Sequence, residues 1–286
     1  VARLRGVSDQ TIVTTHSPEV AAYHRSHEIL IVQNTSGAMT AKPMLDCEPV
    51  PERNALLRLF TVLRRDVCEA LMHNAVVVPE GVTEAHWFRG LLRACVTAEG
   101  AADQSPGDDD ALFSSSLGVL PTQSSSVLDT YTQFRQVIPH LLPLADGDSA
   151  GREYVKKLLA LRPEPERVAR LADGFALESV VAWILEPLAK KDEAWAVLRS
   201  TIEPAAADRA SIEHALTKHK TRWDLHDELL AAIASSAASA GRARSFLDGL
   251  APIAVGRPAS DGWAKHDTVG STELFVWSPP EPGHGE

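Results

Sequence analysis

The sequence predicts an α/β fold, a mainly parallel sheet flanked by helices, with an added all-helical domain. Three stretches, which begin at Glu28, Ala75 and Leu141, each run from a short apolar segment through a polar turn into a helical pattern. Continuous apolar runs indicate strands buried on both faces, and their alternation with helices is typical of parallel sheets with crossover connections. From Leu177 to Leu250 the apolar residues recur at helical spacing alone, which predicts the added helices.

The composition is that of a globular protein and excludes several classes of function. The chain has 286 residues, of which 44% are apolar and 23% are charged, and its length suggests about two domains. A net charge of −10 argues against a protein that coats nucleic acid through charge alone. No apolar run approaches the roughly 18 to 20 residues of a membrane helix, so no membrane partner is expected. The three scattered cysteines form no metal-ligand pair and no even disulfide set, which favours the cytoplasm.

The first half of the chain contains two of the strand patterns and the clearest amphipathic helix. The first strand pattern covers 28–33, and a helical pattern with one apolar stripe follows at 51–73. The second strand pattern covers 75–79 and leads through an acidic turn into another helix. Residues 97–126 are rich in Gly, Ser, Asp and Pro, which predicts a loop with a candidate short strand at 117–120.

The second half begins with the third strand pattern at 141–145. A turn with two aspartates follows, and then a helix with Val155, Leu158 and Leu159 at helical spacing. After the helical stretch, a candidate short strand at 273–277 lies in a segment that contains several prolines. We therefore expect a loose tail around that strand.

Acidic residues follow two of the predicted strands at the point where each strand ends. Glu80 comes after the second strand pattern, and Asp146 and Asp148 come after the third. Because ligands bind at the carboxyl edge of open α/β sheets, adjacent strands would bring these carboxylates into one site. Glu84 lies one helical turn after Glu80 and can face the same site. Carboxylate oxygens suit Mg²⁺ or Mn²⁺, and the alternative is that these acids only form turns and helix starts.

These motifs occur in an order that resembles a Toprim domain, the fold shared by topoisomerases, bacterial primases and OLD-family nucleases. The resemblance rests on 76–84 (VVVPEGVTE) and on 143–152 (PLADGDSAGR). In addition, 14–18 (TTHSP) resembles the histidine switch loop that closes an ABC-type ATPase core. The combination is most similar to the carboxyl-terminal part of an OLD (overcoming lysogenization defect) nuclease. The resemblance covers 12–34, 74–92 and 141–162.

The resemblance implies a two-metal site for phosphodiester hydrolysis. Glu80 would act in catalysis and, together with the other motif carboxylates and a later helix-start acid, would hold two Mg²⁺ or Mn²⁺ ions. A lysine after the helices would stabilise charge on the phosphate, and Lys220 is our choice, with Lys218 beside it. The implied metal ligands are Glu80, Glu84, Asp146, Asp148 and Glu178. The implied DNA-binding residues are Arg152, Lys156, Lys218 and Arg222, and a solvated helix face is the alternative for these cations.

The same resemblance divides the chain into regions and implies a missing partner. Residues 1–34 would end an ATPase-like region or link it to a Toprim catalytic domain at 35–176. A helical domain at 177–250, inserted in the Toprim domain or added to it, and a short strand with a loose tail at 251–286 would follow. No G-x-x-x-x-G-K-[ST] motif occurs, so we expect no ATP site in this chain. We expect a truncated, monomeric DNA endonuclease fragment whose ATPase domain is absent, from a system of phage defence or DNA processing.

Four alternatives stay open. A non-catalytic Toprim-like scaffold would bind DNA or a partner ATPase and would tolerate loss of its acidic residues. The segment 147–151 (GDSAG) fits the G-x-S-x-G motif of serine hydrolases, and Asp-x-Asp also occurs in phosphatases of the haloacid dehalogenase type. His16, His24 and His27 lie close enough in sequence to suggest zinc, although zinc sites normally need tighter spacing.

Overall fold

A six-stranded sheet is the central element of the structure, a computed structural model that describes residues 12–35, 37–44, 63–100, 117–122, 126–189, 208–259 and 262–280. In chain order the strands are β1 (Leu30–Thr35), β2 (Ala38–Pro43), β3 (Ala75–Val78), β4 (Leu117–Val119), β5 (Leu141–Ala145), β6 (Arg167–Leu171), β7 (Trp263–Val269) and β8 (Thr272–Trp277). Strands β3 to β8 follow the order β4-β3-β5-β6-β8-β7. All neighbours in this sheet are parallel except β7 and β8. The α/β class with a mainly parallel sheet is therefore confirmed.

The strand β3 shows why continuous apolar runs form the centre of this sheet. All four of its residues are buried. Ala75 and Val77 contact one hydrophobic cluster, whereas Val76 and Val78 contact another on the opposite face. The strand ends before Pro79, which has no N–H to donate to a neighbouring strand.

Helices cover both faces of the sheet. One hydrophobic cluster joins the longest helix and the helices after β6 to the strands, and a second cluster joins two shorter helices to the other face. The α-helices are α1 (Pro18–Ala22), α2 (Arg64–Ala70), α3 (Val82–Gly100), α4 (Val127–Phe134), α5 (Ser149–Leu159), α6 (Leu177–Ala189), α7 (Arg209–Lys218), α8 (Trp223–Ala234), α9 (Ala237–Asp248) and α10 (Leu250–Ala254). In the described ranges, we find no helix with the length and apolarity to span a membrane.

The added helices lie between two strands of the same sheet. Helices α6 to α10 follow β6 in sequence, and β8, which comes after them, pairs with β6 in parallel. The buried residues of these helices belong to the same cluster as those of α3 and of the strands. The helical segment is therefore tied to the sheet at both ends.

The first strand pattern does not join the parallel sheet, which corrects one expectation. Strand β1 instead pairs with β2 in a separate antiparallel hairpin. The side chains of Leu30 and Val32 are exposed, whereas Ile29 and Ile31 contact a buried cluster. The apolar run is thus a strand with one buried face, because only its alternate residues are covered.

Two further expectations differ from the structure. Within the helical pattern at 51–73, the described helix covers Arg64–Ala70, and residues 51–62 lie outside the described part of the chain. The carboxyl-terminal segment contains two strands where the sequence predicts one, and β8 lies inside the sheet between β6 and β7. A turn at Gly270, with φ of +62°, closes this pair, so 262–277 is a hairpin of the sheet and not a loose tail. Residues 281–286 lie outside the described ranges.

Candidate acidic active site

The carboxyl ends of β3 and β5 bring the first two acidic motifs together. These strands are direct neighbours, with Val78 opposite Pro143. Glu80 therefore lies beside Asp146, and the backbone N–H of Asp146 donates a 3.1 Å hydrogen bond to Oε2 of Glu80. The Glu-Gly and Asp-x-Asp motifs thus form one cluster, as the order of the strands requires.

Gly147 allows the second motif to fold against the end of β6. Its N–H donates to the carbonyl of Phe175 at 2.6 Å, and its own carbonyl accepts from Gly174 at 3.1 Å. A Cβ atom at this position would lie 1.7 Å from the carbonyl oxygen of Ala172. The turn then continues into α5, where Oδ1 of Asp148 accepts a 2.8 Å hydrogen bond from the N–H of Gly151. Asp148 is therefore the N-cap residue of this helix as well as a candidate ligand.

Lys220 joins two further acids of the predicted site. Its Nζ lies 3.2 Å from Oε1 of Glu84 and 3.0 Å from Oε1 of Glu178. Both glutamates lie in the first turn of their helices, α3 and α6, and each is only 7% exposed. Lys220 follows α7, in the turn before α8. The elements that carry these three residues are far apart in sequence, so their contact depends on the packing of the helices.

The electrostatics of the cluster favour protonated carboxyls and a charged lysine. Burial, followed by repulsion from Glu80, Glu84 and Glu178, raises the pKa of Asp146 to about 8. Burial also raises the pKa of Glu80. Burial alone would lower the pKa of Lys220, but the two glutamates outweigh it and the pKa of Lys220 is raised. The carboxyl groups of the cluster would, if all were ionised, carry more negative charge than the single ammonium group of Lys220 neutralises.

The donor set of the cluster fits a hard divalent cation. Its carboxylate oxygens are the ligands that Mg²⁺ and Mn²⁺ prefer, and the raised pKa of Asp146 reflects anionic charge that a cation would relieve. In the observed side-chain arrangement, however, no three His, Cys, Asp or Glu residues of the described ranges are placed to hold a metal ion together. Lys220 lies between Glu84 and Glu178. Metal binding would therefore require side-chain movement, including that of Lys220.

The predicted DNA-binding cations lie in different surroundings. Nη1 of Arg152 donates to the carbonyl of Gly147 at 3.0 Å, so this guanidinium lies beside the acidic turn. Lys218 is exposed in the last turn of α7, two residues before Lys220. Arg222, two residues after Lys220, forms an ion pair with Asp224. Lys156 forms its ion pair with Glu153 at 3.5 Å, on the exposed face of α5, and the structure shows no contact between Lys156 and the described acids of the site.

Two residues near the site are not among the predicted site residues. The pKa of Tyr154 is raised by burial and by the charges of Glu80 and Asp148, which places its phenol within electrostatic reach of the cluster. His226 is only 1% exposed, and its ring centroid lies 4.7 Å from that of Trp87. Burial lowers the pKa of His226, whereas a hydrogen bond with the backbone of His219 and the charge of Glu178 oppose this shift. The apolar period of α8, with Leu225 and Leu229, was the signal that could have placed His226 in the core.

None of the protein-family models, curated proteins or solved structures compared with the chain matches it. The functional argument therefore depends on the geometry of the acidic cluster and on the motif residues that form it.

Proposed function

We propose that the chain is a divalent-metal-dependent nuclease that hydrolyses phosphodiester bonds in DNA. The observation that carries this proposal is the convergence of five acidic residues and one lysine from separate elements at the carboxyl edge of a parallel sheet. Glu80 contacts Asp146, and Lys220 contacts Glu84 and Glu178. Such an edge is the usual place of ligand binding in open α/β sheets.

Two groups of carboxylates would hold the metal ions. Asp146 and Asp148 with Glu80 would bind one ion, and Glu84 with Glu178 would bind the second. When bound, divalent ions stabilise the charge of an in-line phosphodiester displacement and lower the pKa of water. In the metal-free protein at neutral pH, the carboxyl of Asp146 holds a proton, because its pKa is about 8. Binding of a cation would therefore displace a proton from this carboxyl.

Lys220 would take part in both states of the site. In the observed structure its ammonium neutralises Glu84 and Glu178, and those two carboxylates keep it charged. If cations held the two glutamates, the ammonium of Lys220 would be free to contact a non-bridging phosphate oxygen and to stabilise the negative charge that develops there. This exchange gives Lys220 a role that an uncharged residue of the same length cannot fill.

The substrate and partners are part of the proposal. DNA would approach along the rim that carries Arg152, Lys218 and Arg222, and an ATPase domain of a longer protein would control access. The proposed setting is phage defence or DNA processing in the cytoplasm. The net charge of −10 means that phosphate binding by this chain is modest and decreases with salt.

Cleavage of supercoiled plasmid tests the proposal. We expect nicking or linearisation with Mg²⁺ or Mn²⁺, no cleavage in EDTA, and loss of cleavage in Asp146→Ala. Asp129→Ala is the matched control, because Asp129 is an exposed acid in the first turn of α4 and not a member of the cluster. Cleavage that persists in Asp146→Ala, or its absence from the wild type with every metal, would contradict a nuclease site here.

A non-catalytic scaffold is the second candidate, and one observation favours it. Lys220 forms ion pairs with both Glu84 and Glu178. Among the described residues, no three potential ligands are placed to hold a metal ion together. A scaffold would bind DNA equally well with and without Mn²⁺. It would also retain that binding in the double variant Glu80→Gln with Asp146→Asn, whereas a nuclease would lose its metal-dependent activity.

A further inference from the structure

A groove between α3 and α8 begins next to the acidic cluster. Its volume is about 690 Å³, which lies within the range of small-ligand sites. It starts at Val82, two residues after Glu80, and follows one stripe of α3 to Thr97. The fifteen steps along the helix from Val82 to Thr97 span about 22 Å at 1.5 Å per residue. The groove therefore leads away from the acidic cluster along the helix that carries Glu84.

Two close-packed helices form the walls of this α3–α8 groove. At Gly90, a Cβ atom would lie 2.1 Å from Cδ1 of Leu230, so the side chain of Leu230 packs directly against the backbone of α3 there. The ionisable and aromatic side chains of the lining are Asp66, His86, Arg89, Arg93, Trp223 and Asp227.

Trp223 offers an aromatic surface in the lining of the groove. Trp223 is 39% exposed, whereas the other tryptophans of the described ranges, Trp87, Trp183, Trp263 and Trp277, are buried. The rings of His86 and His226 contact it edge-on, with centroids 4.8 and 5.7 Å away. These contacts hold the indole in place while part of its surface stays open to a ligand.

Arg93 is the lining cation that is available to a phosphate. Each aspartate of the groove has a partner, since Asp66 lies 2.8 Å from Nη1 of Arg89 and Asp227 lies 3.2 Å from Nε2 of His86. Arg93 is exposed and forms no ion pair with any residue in the described ranges. Trp223 packs on His86, two helical turns before Arg93, so the ring and the guanidinium lie about 10 Å apart along the groove. An aromatic ring and an unpaired guanidinium that line one open groove form the combination that binds single-stranded nucleic acid.

We propose that the α3–α8 groove binds a single-stranded segment of nucleic acid, with a base stacked on Trp223 and a phosphate on Arg93. The biological meaning of this binding rests on the proposed nuclease function, because the groove would guide a strand to or from the acidic cluster. Binding itself needs neither metal nor cleavage. A base within a duplex is already stacked on both sides, so a single strand fits this surface better than paired DNA.

Fluorescence anisotropy of a labelled oligothymidylate in EDTA tests the proposal. Trp223→Ala is expected to weaken binding about tenfold, whereas Trp223→Phe, which keeps an aromatic face, stays within about threefold of the wild type. Arg93→Ala should weaken binding and reduce the slope of log K against log salt by about 0.7, the value for one phosphate contact on a single strand. Because Arg93 is exposed, this variant tests the groove even if Trp223→Ala unfolds.

Arg257→Ala is the matched control for the loss of one positive charge. Arg257 is exposed and follows Gly256, which lies against Arg167 at the start of β6, at the sheet edge opposite the acidic cluster. The proposal is overturned if the wild type does not bind the oligonucleotide, if Arg93→Ala and Trp223→Ala bind like Arg257→Ala, or if an unlabelled duplex competes as well as the single strand. The first result would leave the groove to a protein partner. If the wild type binds the oligonucleotide but does not cleave plasmid with any metal, the proposed nuclease function is rejected and the proposed binding groove is not.

Discussion

At the scale of single residues, Asp146 links the position of the cluster to its chemistry. Its backbone N–H holds Glu80, while its own carboxyl is buried among acids. In the folded chain its pKa is about 8, compared with about 3.9 in an unfolded chain. At pH values between these two pKa values, Asp146 keeps its proton in the folded state and has lost it in the unfolded state.

This difference gives the metal-free protein a defined pH dependence. The stability that proton retention provides is complete below about pH 4 and is lost as the pH rises through about 8, with a slope of up to about 1.4 kcal/mol per pH unit. Asp146→Asn cannot ionise. We therefore expect the variant to gain in free energy of unfolding relative to the wild type as the pH rises from 5 to 8, and to keep a constant advantage above that.

Urea denaturation in EDTA at a series of pH values measures this difference, because groups that titrate equally in both proteins cancel. Asp129→Asn is the control, because it removes an exposed carboxylate in the first turn of α4, outside the cluster. Parallel curves for Asp146→Asn and the wild type would show that Asp146 is ionised in the folded protein at neutral pH.

At the scale of elements, the turn between β5 and α5 sets the position of two candidate ligands. Gly147 lies against the backbone at the end of β6, where the atoms that a Cβ would meet belong to Ala172 and Leu171. Backbone cannot move aside as a flexible side chain can. The close contact is therefore a condition for the placement of both Asp146 and Asp148.

Gly147→Ala is expected to destabilise the protein by about 3 kcal/mol or more, because the turn must move away from β6. Gly241→Ala is the matched control. Gly241 lies inside α9 with nothing within 4 Å of its Cβ position, so alanine should stabilise that helix by roughly 0.5 to 1 kcal/mol. Thermal or urea unfolding compares the two variants. Equal stability of Gly147→Ala and the wild type would contradict the close approach of this turn to β6.

The same elements show what the sequence can predict. The apolar runs at 75–79 and 141–145 gave the positions of β3 and β5 to within a residue, because strands buried on both faces consist of apolar residues throughout. The proximity of Glu80 to Asp146 follows from that placement once the strands are neighbours. The contact of Lys220 with Glu84 and Glu178 depends on how α3, α6 and α8 pack. Residue periodicity within one helix carries no information on that packing.

The hairpins were harder to predict for a different reason. In β1, exposed residues such as Leu30 and Val32 are as apolar as buried ones, so the run resembles a strand with two covered faces. In β7, all residues after Trp263 are exposed, and the strand is recognisable only by its pairing with β8. Edge strands of this kind carry a weak sequence signal because little of their surface is buried.

At the scale of the whole molecule, the last two strands complete a core that all the later helices share. Trp263, Phe275 and Trp277 belong to the same hydrophobic cluster as α3 and α6 to α10. The ring of Trp277 lies edge-on to those of Trp183 and Phe246, with centroids 5.3 and 5.1 Å away. The Nε1 of Trp263 also donates to the carbonyl of Phe246 at 2.9 Å. The carboxyl-terminal hairpin therefore joins the helical segment to the sheet.

A chain that ends at residue 259 is expected to lose cooperative folding, although it keeps every candidate site residue. Loss of a buried Phe or Trp side chain costs about 3 to 5 kcal/mol, so three of them account for most of the 5 to 15 kcal/mol of a typical domain. The shortened chain would also expose the paired edge of β6. A chain that ends at residue 280 keeps both strands and should unfold like the full chain. Near-ultraviolet circular dichroism and thermal unfolding distinguish the two, and a cooperative transition in the shorter chain would show that the sheet and helices fold without β7 and β8.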